Sequence, residues 1–561
     1  MRALRVLLVV LFIAGVIAVG VLTFQLIAPR ETVLVPAEGG TYVEGVVGAP
    51  KNLNPLLCPA SEVDRDVCSL IFSGLTRLTE SGEAQPDLAE SWTVSSDGIT
   101  YTFTLRPDAR WEDGEPITAQ DVAFTVKLLQ DPSFPGLSTL SQAWSDVTVI
   151  PVSERTVQFQ LSRPRASFLN HTAIGLLPSH LLSGTTAVAL PNSPFNLQPV
   201  GSGPWRVTSI STGASGIASI ELEPSSTYFG ARPKLDRLVF RYFPTSAALL
   251  DAFRNGEVDG MANLSHEALT EAERLPETVI YTMPQARFAA LLFNLRPDSG
   301  VIALTEPAVR QALLLALDRP AIIRDVLQGR AVLADTPMIP GTWAWSAEVR
   351  LPGRDLERAR DLLVKAGYSR AVVAPFNTEV WQKDGEPVSF TLLTPDSGIY
   401  PEVARAMAQQ WRDLGIPVAV LPVRGLVPNF LARRQFQAAL VEILLEGDPD
   451  PLALWHGSRR DRGANFTGWD NAEVNEWLEQ AHQTLDRAVR IELYQRFQKR
   501  FAEELPAIPL YYPAYTYVLS SRVRNVQVGP IVYPSDRFRS LSEWTINLRR
   551  VPVTPAPDAA Q

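Results

Sequence analysis

The stretch VSFTLLTPDSGIYPEVARAMAQQWRDLGIPVAVLPV, Val388 to Val423, decides the fold class. Its first part, Val388–Thr394, and its last, Ile416–Val423, are rich in the β-branched and large apolar residues that suit strands. Between them Val403, Met407, Trp411 and Leu414 recur at the spacing of one helix face, and Gly415 stands where a helix ends in a left-handed residue. Strand, helix, strand requires a parallel pair joined by a right-handed crossover. The chain is therefore expected to be an α/β protein.

Outward from this unit the texture changes. In AVRQALLLALDRPAIIRDVL, Ala308–Leu327, a helical pattern breaks at Asp318-Arg319-Pro320, where Asp318 can cap a new helix. Earlier, WTVSSDGITYTFTLR (Trp92–Arg106) reads as two strands around a Ser-Ser-Asp-Gly turn. In it Ile99, Tyr101, Phe103 and Leu105 share one face. Thr118, three residues before Asp121, predicts a capping box for a helix whose buried face is Val122, Val126 and Leu129. Two further hairpins are expected at Val147–Leu161 and Trp205–Leu222, and no repeat of solenoid or propeller period is found.

The N-terminus speaks to compartment. After Arg2 and Arg5 no charged residue occurs before Arg30, and Val6–Ile27 as a helix would span about 33 Å at about 1.5 Å per residue. Residues 6–27 are read as an uncleaved transmembrane anchor, with 1–5 cytoplasmic because the arginines precede the span, and the main body extracytoplasmic. A long signal peptide cut at an unobvious site is the alternative. Residues 28–41 read as a linker without periodic pattern and 551–561, rich in Pro and Ala, as a disordered tail. The 561 residues with 46% apolar content can bury more than one core, so two or three lobes are expected. A formal net charge of −9 favours neither nucleic acid nor anionic lipid as a partner of the body. The two cysteines, Cys58 and Cys68, are close together in an exported chain and are expected to pair.

Reactive chemistry is sparse. Of the five histidines, His171, His180, His266, His456 and His482, no two have a zinc-binding i, i+4 spacing, and neither a phosphate-binding loop nor a nucleophile elbow occurs. No nucleophile with its base can be named, so an enzyme has no support and no cofactor or metal is implied. EGDPDPLALWHGS, Glu446–Ser458, clusters Glu446, Asp448 and Asp450, but Pro449 and Pro451 stiffen it and the distal Glu of a calcium loop is missing. It reads as a rigid turn whose acids form the turn and which aims Trp455 and His456 toward a cleft.

Seven separated stretches resemble one family in consistent order from about Tyr42 to Trp544. They are Pro86–Thr125, PVGSGPWRV (Pro199–Val207), LLDAFRNGEVDG (Leu249–Gly260), LLFNL (Leu291–Leu295), VRQALLLALDR (Val309–Arg319), GDPDPLALWHGS (Gly447–Ser458) and NFTGWDNAEVNEWLEQA (Asn465–Ala481). Together they resemble the extracytoplasmic solute-binding proteins of ABC importers, in the peptide-, dipeptide- and nickel-binding family 5. The resemblance implies a periplasmic-binding-protein-like, Venus-flytrap α/β fold of two lobes with an extra domain. Domain I would comprise residues 42–77, 199–292 and 506–550, domain II, the extra domain, 78–198, and domain III, the opposing lobe, 293–505. Ligand would sit between domains I and III and drive hinge closure around itself. The permease and ATPase would be separate chains.

For ligand contact the resemblance implies Trp455 and His456 after the acidic turn, Asn465 and Phe466 beginning the next stretch, Asn54 and Asn294 near the interdomain strands, and Trp343 and Trp345 in GTWAWS. Trp455 could equally be core packing, Asn54 and Asn294 structural turn residues, and the two other tryptophans an exposed lid. The GSGPW loop is read as structural. One departure stands out: where peptide-binding relatives hold the α-ammonium with a carboxylate, this chain has Leu445, and Glu442 or Glu446 would lie on the opposite strand face. The ligand is therefore a peptide or a similar small solute, with a nickel chelate or an oligosaccharide as the other choice. A sensory or chaperone-like role without transport is the reading from another class.

Overall fold

The computed structural model describes residues 32–213, 216–445 and 448–552, with Phe12 and Gly15 of the N-terminal segment. The span expected over 6–27 otherwise lies outside the described residues, as do residues 1–5 and the tail from residue 553. Among the described residues no helix is long and apolar enough to cross a membrane.

The chain opens with β1 (Thr32–Ala37) and β2 (Thr41–Val47), then α1 (Glu62–Ile71), capped by the Ser61 side chain. β1 lies inside the segment read as a patternless linker, a correction whose cause is distance in sequence. Its partner is β17 (Asn547–Pro552), at the other end of the chain and partly within the expected tail. Cys58 and Cys68, flanking and within α1, are joined by a disulfide.

A four-stranded antiparallel sheet follows, β3 (Ala89–Val94), β4 (Thr100–Leu105), β5 (Val147–Ser153) and β6 (Thr156–Leu161), in the order β3-β4-β6-β5. Tyr101, Phe103 and Leu105 are fully buried on one face of β4, as strand alternation requires. α2 (Ala119–Gln130) begins with the Thr118–Asp121 capping box. This unit shares a continuous apolar core with the body that holds β2 and α1, the first lobe.

The first lobe continues with β7 (Trp205–Gly213), β8 (Gly216–Pro224), β9 (Arg237–Phe243), β10 (Gly260–Ala262) and β11 (Thr278–Pro284). The GSGPW loop before β7 is structural. Ser202 and Gly203 donate backbone hydrogen bonds to Ile71 O at the end of α1, at 2.9 and 3.0 Å, and a Cβ on Gly201 would lie 2.2 Å from that oxygen.

The second lobe starts at β12 (Arg287–Phe293) and contains the deciding unit: β13 (Phe390–Pro395), α3 (Tyr400–Leu414) and β14 (Val418–Val423), with β13 and β14 parallel. Val403, Met407, Trp411 and Leu414 are all buried, and Gly415 adopts φ 97°. β15 (Ala438–Leu444), α4 (Ala472–Gln483) and α5 (Arg487–Glu504) complete it, and β16 (Ala507–Ser520) returns to the first lobe.

One hydrogen-bonded sheet runs through both lobes in the order β14-β13-β15-β12-β16-β10-β2-β9-β8-β7. The cores, however, divide: two clusters draw only on residues 289–511 and 288–512, and two others only on 42–544 outside that range. The polypeptide thus crosses between lobes at two places, between β11 and β12 and within β16. Gln285 N donates to Pro513 O at 2.9 Å, tying the two crossings together.

The first lobe is locked by charge. Arg537, fully buried, donates to Glu44 of β2 at 2.9 and 3.1 Å and to Asp66 of α1 at 2.6 and 2.7 Å. Tyr42 and Tyr517 hydroxyls also reach Glu44, at 2.5 and 2.7 Å. Burial opposes the guanidinium's charge, but Asp66 and Glu44 outweigh it and hold its pKa well above the usual value.

Candidate functional site

In open α/β sheets a crevice forms at the carboxyl ends of parallel strands where successive connections leave in opposite directions. β13 is such a strand: the chain leaves it through α3 to β14 on one side and comes back as β15 on the other. Thr394, at the carboxyl end of β13, is fully buried and its hydroxyl has no hydrogen-bond partner among the described residues. The carboxyl end of β15 reaches the lobe crossing, where Leu445 N donates to Ala286 O at 2.7 Å and Ala286 N to Ile531 O at 2.6 Å. Thus the switch point of the second lobe and the crossing coincide.

Charge collects there. Arg287, the first residue of β12, donates to Glu442 of β15 and to Glu62 of α1, each at 3.0 Å, so one guanidinium links a carboxylate from each lobe. Its Nε is buried without a partner among the described residues. Burial alone would lower its pKa, and the two carboxylates more than offset that, leaving it raised. The Tyr400 hydroxyl, at the start of α3, donates to the other oxygen of Glu442 at 2.7 Å. Burial and then Glu442 push the Tyr400 and Tyr511 phenols far up, so both are donors at any physiological pH. The hydroxyls of Tyr511 and Tyr515, on the crossing strand β16, are buried and make no hydrogen bond among the described residues. Such groups are costly when unsatisfied and are ready to bond a polar ligand.

The residues expected to touch ligand are placed as follows. Trp455 and Phe466 meet in the wall of an apolar pocket of about 50 Å³, with Val427, Leu431 and Val441, and with Glu442 also lining it. Trp455 packs edge-on against Phe501 at 4.7 Å, and its indole nitrogen lacks a partner among the described residues. The acidic turn is expected to aim Trp455 and His456 at a cleft, yet both are turned inward, 2% and 5% exposed. His456 caps the short helix Gly457–Arg459, its Nδ1 accepting from Ser458 N at 3.1 Å, and its Nε2 lies 3.1 Å from Glu479. The Asn465 amide donates to His456 O and Trp469 O and accepts from Thr467 and Gly468. Asn294 donates to Arg434 O and Phe436 O, and Asn54 bonds Asn196 and Leu56 N near the disulfide. All three asparagines are fully buried, with their amides engaged inside the fold. Trp343 lies under the Arg490 and Arg487 guanidiniums at 4.8 and 5.1 Å, and Trp345 under Arg350 at 5.8 Å.

The acids of the turn do more than form it. Asp448 makes a bidentate pair with Arg490 of α5, at 2.6 and 3.1 Å, with side chains 10% and 7% exposed. Asp450 caps Leu452 N and pairs with His482 of α4 at 2.5 Å. Glu446 lies outside the described residues. Sequence reasoning did not find Arg287, Glu62, Tyr400 or Tyr511. The available signal was that QARF, just before LLFNL, puts a cation at the first position of an apolar strand, where it must find an anion. A separate groove of about 1050 Å³ lies at the junction of α1, residues 73–87 and segment 527–543, with Asp87 in its wall.

Residues 83–465 match the family described as bacterial extracellular solute-binding proteins, family 5, middle. The oligopeptide-binding protein AppA of Bacillus subtilis is 27% identical over 493 residues, covering 85% of this chain and 87% of that protein. The dipeptide-binding protein of Escherichia coli is 26% identical over 548 residues, 91% of this chain and 96% of the relative. Among solved structures, NikZ from Campylobacter jejuni in complex with Ni(L-His) superposes with a TM-score of 0.69 at 25% identity, covering 90% of this chain and 99% of that one.

Proposed function

Because the chain belongs to the bacterial extracellular solute-binding proteins of family 5, we propose that it captures peptides or a similar small solute outside the cytoplasm and delivers them to an ABC-type importer. The permease and ATPase are other chains. The observation that carries this reading is the crossing. Two lobes with separate cores meet there around Arg287, Glu442 and Glu62, beside buried tyrosine and threonine hydroxyls with no partner among the described residues. A solute entering between the lobes replaces water with these donors and acceptors, and closure follows from its greater affinity for the closed form.

On this reading Trp455 and Phe466 supply an apolar wall, Trp343 and Trp345 border the mouth, and His456, Asn465, Asn294 and Asn54 brace the loops that carry the site. The division into domains at 42–77, 78–198, 199–292, 293–505 and 506–550, and an anchor at 6–27 holding the body at the membrane, belong to the same proposal. Leu445 favours a solute whose recognition does not depend on a carboxylate at that place, which keeps a non-peptide ligand, such as the Ni(L-His) named for NikZ, as the second reading.

Native mass spectrometry of the full chain, extracted and purified without added ligand, tests the proposal. Adducts of mixed peptide masses are expected. A single defined non-peptide mass overturns the peptide reading in favour of the second, and a chain that retains no solute and gains none from a peptide pool overturns capture itself.

A further inference from the structure

Among the described residues the ribbon of β1 and β17 belongs to no larger sheet. Two paired strands alone are marginal in water, and this pair leaves Val33, Leu34 and Leu548 exposed by 49%, 59% and 40%. Arg549 and Arg550 are exposed beside them. The base of the ribbon is nevertheless fixed. Asn547 donates to Glu38 O at 3.3 Å, Gly39 N to Lys234 O at 2.7 Å and Gly40 N to Asp236 at 3.0 Å, while Trp544, just before β17, is fully buried. Its direction is therefore set by the first lobe.

Sequence sets where that direction leads. The segment read as the anchor ends at Ile27 and β1 begins at Thr32, so only Ala28–Glu31 intervene. Extended, that link reaches at most about 14 Å at about 3.5 Å per residue. The headgroup layer on each side of the hydrocarbon is about 5–8 Å thick. The register puts Leu34 opposite Arg550, Val35 opposite Arg549 and Pro36 opposite Leu548. Each face therefore mixes apolar side chains with guanidiniums, the composition of segments that lie in a membrane interface, where long cationic side chains reach phosphates while their stems stay among apolar groups.

We propose that the β1–β17 ribbon lies in the lipid headgroup layer, with the face of Leu34 and Leu548 against the upper acyl chains, and with Arg550 from that face and Arg549 from the other reaching lipid phosphates. It thereby holds the first lobe at a fixed height and tilt over the bilayer. The inference rests on the reading of 6–27 as a retained anchor and is independent of which solute is bound.

The test uses the full chain reconstituted in vesicles of phosphatidylcholine and phosphatidylglycerol. With Cys58 and Cys68 joined, a single added thiol at Leu34→Cys or Leu548→Cys carries a fluorophore, and nitroxide lipids serve as quenchers. Val372→Cys, on the second lobe and 68% exposed, is the control. Quenching is expected at 34 and 548 and not at 372. Replacing Arg549 and Arg550 by Glu should weaken headgroup association roughly fivefold per arginine and lower quenching at 34, with flotation on the vesicles and the melting temperature unchanged. Quenching at 34 and 548 no greater than at 372, in protein that floats, overturns the proposal. So does shielding of the label in detergent that grows with protein concentration, which would give the ribbon a second copy as its partner. Protein that does not float overturns the anchor, and the docking with it, while leaving solute capture untouched.

Discussion

Replacing Arg537 by Met removes the cation that joins β2, α1 and the C-terminal segment while keeping the volume and the aliphatic stem. Four hydrogen bonds to carboxylates and one to Pro534 O disappear. Glu44 keeps the Tyr42 and Tyr517 hydroxyls, but both carboxylate bonds of Asp66 come from Arg537. Removing one side of a buried ion pair costs about 3–5 kcal/mol, which at about 2–4 °C per kcal/mol for a lobe of this size lowers its melting temperature by about 10 °C. Burial already raises the pKa values of Glu44 and Asp66, against the lowering effect of Arg537. A carboxylate raised above its unfolded value supports the fold most fully below that unfolded value and loses this support as pH rises. Without Arg537 both rise further, so the deficit is largest near pH 7.5 and shrinks toward pH 4.5. Denaturant and thermal melts of the first lobe at the two pH values measure this, and adding Glu44→Gln and Asp66→Asn should recover part of the loss. A deficit under about 1 kcal/mol at pH 7.5, or one equally large at pH 4.5, would refute the assignment of this cluster as a lock that depends on its cation.

Asp448→Asn should destabilise the second lobe by about 3 kcal/mol by stranding Arg490, and Asp448→Leu with Arg490→Met should restore most of it in the same melts. Asp87, 8% exposed, has its carboxyl pushed up to about 6 by burial against the lowering effect of Ser73. Its contribution is therefore complete below about pH 4 and is lost as pH rises through 6. Asp87→Asn should raise the melting temperature at pH 7.5, by an amount corresponding to about 1–3 kcal/mol, and give no gain at pH 4. Gly201→Ala forces a Cβ onto Ile71 O and should cost about 1–3 kcal/mol, whereas Gly184→Ala, with open space around it, should be nearly neutral in a parallel melt. Glu442→Gln weakens the link from Arg287 and Tyr400, and the fraction of protein carrying a co-purified solute in native mass spectra should fall by at least half at unchanged fold. Undiminished occupancy would remove Glu442 from the site.

What the sequence revealed was local. The face Val403, Met407, Trp411 and Leu414, the Gly415 end and the Thr118–Asp121 box depend on residues within a turn or two, so their periodicity carries the answer. The ribbon was hidden because Thr32 pairs with Pro552, and no local pattern reports a partner at the far end of the chain. β16 was obscured for a related reason: Pro509 and Pro513 argue against a long strand, but both stand in the stretch that bears the crossing between lobes. The acids at 448 and 450 looked self-contained because their partners, Arg490 and His482, lie on helices further along. Strand alternation correctly put Glu442 opposite Leu445, yet it could not say that Arg287 and Glu62 would converge on that face, since their meeting depends on how two lobes are joined.

The first lobe draws β2 from the beginning of the chain and β16 and Arg537 from its end, while the second lobe is one uninterrupted segment. Synthesis at about 5–20 residues per second takes roughly half a minute to two minutes for a chain of this length. Until Arg537 has been made, Glu44 and Asp66 lack the cation that joins them. The second lobe, with all its strands except β16 emerging together, is the part able to collapse early. The first must wait until β16 and Arg537 have been made, so it closes only after the segment that builds the second lobe is complete.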